Sequence, residues 1–134
     1  MIPAENAHLI VAGNTHPGMT GKNNEDQFGV SAYTVSPSDP TPALFTIVAD
    51  GIGGHLAGEV ASQIAVDMVS DAVAASNASQ PTAILQAGII QAGQTIKAQS
   101  DENVEQRGMG TTCIVAWIID DRLYVASVGN SRMY

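Results

Sequence analysis

Residues Thr46–Ser62 read TIVADGIGGHLAGEVAS. A short apolar run (Ile47, Val48, Ala49) stops at Asp50, glycines follow at 51, 53 and 54, and an amphipathic helical pattern then begins. This order predicts a buried strand that delivers one carboxylate to its own end, followed by a turn in which no side chain obstructs. Glycine permits positive φ and close backbone approach, so Asp50 and nearby backbone carbonyls can converge on one ion. The same residues also suit a plain strand-to-helix turn with Asp50 as a capping residue.

Upstream, Ala43–Ala49 reads as the strand leading into Asp50, and Ser36–Pro42, with three prolines, as a surface loop. Phe28–Val35 alternates loosely with β-formers and predicts a second strand. His8–Ala12 is a short apolar run, read as a first strand; between them lie the turn-rich Gly13–Gly21 and the wholly polar Lys22-Asn23-Asn24-Glu25-Asp26. Downstream, apolar residues at 57, 60, 61, 64, 65, 68, 69, 72 and 73 form one stripe of a helix from Leu56 to Ala75. Pro81 stands at a first helical position, and Ile84, Leu85, Ile89, Ala92 and Ile96 mark a second helix ending before the polar run 100–107. Cys113–Ile119 is a near-continuous apolar run, expected as a strand covered on both faces. Asp120-Asp121 turns the chain, and Leu123–Val128 returns as the second strand of a hairpin. Strands, then two helices, then strands make an α+β pattern. A further strand is expected to start at Tyr134, which would leave a sheet edge waiting for more chain.

The composition is that of a globular chain, 134 residues with 45% hydrophobic and 13% charged, long enough to bury a core. Thirteen acidic against five basic residues give a formal net charge of −8. That balance excludes the basic footprint of nucleic-acid binding and disfavours acidic membranes, whereas phosphate esters can be bound through cations. The single cysteine, Cys113, allows no internal disulfide and fits a reducing compartment. Its apolar surroundings suit a small core residue rather than a nucleophile. The N-terminus lacks the basic start and long apolar segment of a signal peptide, and no apolar stretch reaches membrane-spanning length. A cytoplasmic protein is expected.

Glu25-Asp26 precedes one strand and Asp50-Gly51 follows another. If those strands are neighbours, carboxylates from two loops meet at one end of a sheet. Close carboxylates repel strongly, and hard divalent cations such as Mg²⁺ or Mn²⁺, which prefer oxygen ligands and waters, relieve the repulsion. Each acid is equally explicable, taken singly, as a loop or capping residue.

Five blocks occur in order: Asn24-Glu25-Asp26, Val48-Ala49-Asp50-Gly51-Ile52-Gly53-Gly54-His55, Gly58-Glu59-Val60-Ala61-Ser62, Met109-Gly110-Thr111-Thr112 and Val128-Gly129-Asn130-Ser131-Arg132. Together they resemble the PPM-type, or protein phosphatase 2C-like, metal-dependent serine/threonine protein phosphatases in their bacterial form. The resemblance implies a four-layer α-β-β-α sandwich of two antiparallel sheets flanked by helices, with a dinuclear Mn²⁺/Mg²⁺ centre at one end. By position it makes Asp26 a ligand of one metal, Asp50 the bridge between two, and the Gly51 carbonyl a ligand of the other. Glu25 would touch a metal or hold one of its waters. The implied reaction is in-line attack on a phosphoserine or phosphothreonine phosphorus by a metal-activated water. Phosphorylated proteins, and a Ser/Thr kinase sharing those targets, are the implied partners.

The chain departs from the family pattern at three positions. Gly21 stands where the family usually carries a phosphate-gripping arginine, with Lys22 beside it as a substitute point charge for substrate. Ile52 takes a place that some relatives give to a histidine, and Asn130 one usually held by an aspartate associated with a third, weaker metal. The resemblance also spans only the N-terminal half of a catalytic domain, so residues 1–134 are expected to be a fragment of a longer phosphatase, with two further metal aspartates and the rest of both sheets elsewhere. A catalytically impaired relative that binds a phosphoprotein or kinase is the alternative, and a structural cation-binding domain a second one.

Overall fold

The computed structural model describes residues 1–19, 23–54 and 56–134. Its strands are β1 (Ile2–Pro3), β2 (Asp26–Ser36), β3 (Asp39–Ile52), β4 (Gly110–Thr111), β5 (Cys113–Ile119) and β6 (Arg122–Val128), with helices α1 (Ala57–Ala75) and α2 (Pro81–Glu102) between β3 and β4. All pairings are antiparallel, in the order β1-β2-β3-β5-β6, and β4 continues the β5 side of β3. The expected α+β arrangement is therefore present.

Alternation along β3 sorts the sheet into two faces. Ala43, Phe45, Ile47 and Ala49 point to one side and are buried with Val115 and Trp117 of β5, against Ala61, Ala65, Val69 and Val73 of α1 and Leu85, Ala92 and Ile96 of α2. Phe45 and Trp117 are register partners and the largest fully buried side chains of this core. Helix α1 lies on β2 and β3, and α2 packs on α1 and reaches β6. Pro81 opens α2 at its first turn as expected. The α-amino group of Met1 donates to the carbonyls of Ala74 (2.9 Å) and Ser76 (2.6 Å) at the C-terminal end of α1, where the last turn holds no basic side chain.

The other face carries Phe28 and Val30 of β2, Thr46 and Val48 of β3, and Leu123 and Val125 of β6, which register places in neighbouring rows. Phe28, Val30, Val48, Leu123 and Val125 are all exposed. Leu44 and Ile114 on this face are buried. Two layers, one sheet and one pair of helices, are thus built here, and this partly exposed apolar face, bare of helices, is the side on which the resemblance places a second sheet.

Three local expectations are corrected. His8–Ala12 forms no strand; β1 is the shorter Ile2–Pro3. The Ser36–Pro42 loop shrinks to a turn at Pro37-Ser38, because β3 already begins at Asp39. Strand β3 also runs past Asp50 to Ile52, so that carboxylate stands within the strand rather than beyond it. Among the described residues, no helix is long and apolar enough to cross a membrane.

Candidate metal centre

Asp26, the first residue of β2, is the register partner of Asp50 in β3. Directly opposed residues of an antiparallel pair project from the same face, here the bare one, in line with Phe28 and Val48. The Asp26 carboxyl is held above its ordinary pKa of 3.8, first by burial, then by the Asp50 charge and a side-chain hydrogen bond with Asp50, and last by Glu25. An acid whose charge is disfavoured by a facing acid offers a ready cation site. A cleft of about 460 Å³ opens beside them, between Val11–His16 and the β2–β3 surface.

Backbone contacts fix this pair from three sides. Asp26 N–H donates to Asn24 Oδ1 (3.1 Å), and Asn24 Nδ2 donates to Thr15 Oγ1 (2.9 Å). The Glu25 carbonyl accepts from Gly51 N–H (3.2 Å) and from the buried Ser62 hydroxyl of α1 (2.6 Å). The Asp50 carbonyl accepts from Thr112 N–H (2.9 Å) and Thr111 Oγ1 (3.0 Å), while Asp50 N–H donates to Thr112 Oγ1 (3.2 Å). A side chain at position 51 would collide with the Gly58 carbonyl and come within 2.7 Å of the Glu25 carbonyl. Glycine at 51 is therefore what lets β3 touch the first turn of α1.

Glu25, one residue before Asp26, lies on the opposite, helix-covered side. Its carboxylate sits where a Gly58 Cβ would be, with Cδ 2.8 Å from that position. There it faces the N-terminal turn of α1, which has no side-chain cap, and the helix dipole favours an anion. The structure thus brings Asp26 and Asp50 together and turns Glu25 aside. Among the described residues, no group of three or more histidine, cysteine, aspartate or glutamate side chains is positioned to hold a metal ion. What remains fits one hard cation shared by Asp26 and Asp50, with its other positions filled by water or by the neighbouring Gly51 carbonyl. Lys22, Gly21 and His55 lie outside the described residues. Ile52 is exposed, and Cys113 is buried with its thiol pushed up by burial to about 11, so it is no nucleophile.

Ser62, Thr111, Thr112 and Ser131 hold the site and were not singled out individually from the sequence. The only signal was their membership of the small-residue blocks GEVAS, MGTT and VGNSR. Thr112 Oγ1 lies 2.5 Å from Ser131 Oγ, so the last of these blocks is joined to Asp50 through one hydroxyl.

Known proteins are similar to most of this chain. The chain is 37% identical over 124 residues to a serine/threonine phosphatase, stp, of Listeria monocytogenes, covering 90% of this chain and 47% of that protein. It is 30% identical over 126 residues to the serine/threonine protein phosphatase PstP of Mycobacterium tuberculosis, covering 94% and 22%. Among solved structures, Staphylococcus aureus Stp1 superposes with a TM-score of 0.73 at 30% identity, over 96% of this chain and 52% of that one. The PstP catalytic domain in complex with two manganese ions gives 0.68 at 30% identity, over 86% and 45%. The chain spans about half the length of the Listeria relative. A family profile described as protein phosphatase 2C matches residues 13–134, which takes in the Asp26–Asp50 pair, the helix that supports it and the threonines behind it. By sequence and by fold, the chain belongs to the protein phosphatase 2C family.

Proposed function

We propose that the chain supplies the Asp26–Asp50 half of a metal-dependent phosphatase site that hydrolyses phosphoserine and phosphothreonine in proteins. The observation that carries this reading is the opposition of the two aspartates across one register pair, with the Asp26 carboxyl pushed up by its surroundings. Mn²⁺ or Mg²⁺, two ions in a complete site, would supply Lewis acidity that makes a nucleophile of water and neutralises phosphoryl oxygens. Asp26 and Asp50 would be the ligands, with the Gly51 carbonyl beside them. Glu25 would act from the helix side by fastening β2 to α1, and Lys22 would offer a point charge to the substrate phosphate. The remaining ligands belong to sequence outside these residues, as the greater length of the relatives suggests. Phosphorylated proteins are the substrates, a Ser/Thr kinase acting on the same targets is the natural counterpart, and the cytoplasm is the expected location.

The test is turnover of a phosphothreonine peptide by the longest natural form of the protein across a Mn²⁺ titration, beside Asp50→Asn. Activity should depend strictly on the metal, and Asp50→Asn should reduce it to background. Activity that survives a chelator would overturn the mechanism. Absent turnover with phosphopeptide binding intact would favour the non-catalytic relative.

A further inference from the structure

The ladder between β3 and the β4–β5 segment is interrupted at one place. Val48 pairs with Ile114 and Gly51 with Thr111, so Asp50 falls opposite Thr112 with no residue inserted. Thr112 N–H donates to the Asp50 carbonyl at 2.9 Å, as one half of an antiparallel pair. The other half is replaced: Asp50 N–H turns to the Thr112 hydroxyl at 3.2 Å. The single Thr111 hydroxyl proton is shared instead between the Thr112 carbonyl (2.8 Å) and the Asp50 carbonyl (3.0 Å). Two hydroxyls therefore grip the Asp50 backbone, one at its N–H and one at its carbonyl, on either side of the Cα that carries the aspartate of the candidate metal centre.

The outer end of the arrangement is built as well. Gly129 has φ +92°, and a Cβ there would come within 2.9 Å of Thr112 Cγ2. Glycine thus allows the chain leaving β6 to fold onto Thr112 and seat Ser131 Oγ 2.5 Å from its hydroxyl. Thr112 itself is 4% exposed, so its side chain is largely screened from water.

We propose that Thr112 is a positioning residue whose hydroxyl, held by Ser131, sets the Asp50 backbone and so aims its carboxylate at the shared cation. This rests on the reading of Asp50 as a metal ligand. Valine at 112 keeps the shape and removes the hydroxyl; serine keeps the hydroxyl. Calorimetric Mn²⁺ binding by the protein should weaken about 10- to 100-fold in Thr112→Val, the range seen when a partner behind a ligand is removed. Thr112→Ser should retain the wild-type affinity, and Ser131→Ala should fall between them. Without metal, amide hydrogen exchange at Asp50 should be faster in Thr112→Val than in Thr112→Ser.

Asp50→Asn is the reference that separates the two levels. If it loses Mn²⁺ while Thr112→Val and Ser131→Ala bind as tightly as wild type, the positioning role is wrong and the metal reading stands. If Asp50→Asn binds as wild type does, or wild type does not bind, both fall. Should Thr112→Val fail to fold, Ser131→Ala decides by the same affinity and exchange measurements. Lower stability with unchanged Mn²⁺ affinity in either variant would reduce Thr112 to a fastening at the strand end.

Discussion

Asp26 carries the electrostatic strain of the site, since burial and the facing Asp50 carboxylate both hold its carboxyl above 3.8. The folded protein binds this proton more tightly than the unfolded chain does. Stability contributed by the group is therefore fully present below the unfolded value and is lost as pH rises through the raised folded value. In a chelator, urea unfolding of wild type and Asp26→Asn across the acidic range should show the wild type losing ground to the variant as pH rises toward neutrality. Added Mn²⁺ should restore the wild type and leave the variant unmoved. A difference that is flat in pH would mean that the two carboxyls do not sense each other.

Helix α1 shows how a stripe read from sequence is refined by packing. Its buried residues are Ala57, Gly58, Ala61, Ser62, Ala65, Val66, Val69 and Val73, whereas Val60, Ile64 and Met68 are partly covered. The centre of the face has turned away from Ile64, which lines a shallow groove with Leu56 and Val60. Val69→Asp buries an unpaired charge and should cost about 4 kcal/mol or more. Ile64→Asp, whose carboxylate reaches water at the groove, should cost less than half of that in the same denaturant titration. Equal losses would put Ile64 back in the core. Strands β5 and β6 and both helices were legible because alternation and helical spacing are local signals. The start of β3 was hidden by Pro40 and Pro42, which are tolerated because β5 pairs with β3 only from Ala43 onward and their missing N–H groups break no ladder on that side. His8–Ala12 misled because a short apolar run does not itself specify a strand partner. Asp26 and Asp50 were legible from the turn chemistry around them. The bonds from Ser62, Thr111 and Thr112 to distant backbone leave no local pattern, so sequence spacing could not supply them.

At the scale of the molecule the sheet is clothed by helices on one side, while on the other Leu44 and Ile114 are buried but Phe28, Val48 and Val125 stay exposed. Contiguous exposed apolar surface drives association, so the 134-residue chain on its own is expected to self-associate through the Phe28, Val48 and Val125 face. Val48→Thr combined with Val125→Thr should raise the dissociation constant by about tenfold in sedimentation velocity, roughly 1.4 kcal/mol of lost apolar burial. No change would place the contact elsewhere. The β2–β3 hairpin turns at Pro37-Ser38 and has Asp26 and Asp50 at its far end. The acidic pair therefore stands at the end farthest from the turn, where the bonds to Asn24, Ser62 and Thr112 hold the two strands in place. A cation held between the two would then be a clasp as well as a reagent. Losing the ion would then loosen that end of the hairpin as well, and metal occupancy and local order there would rise and fall together.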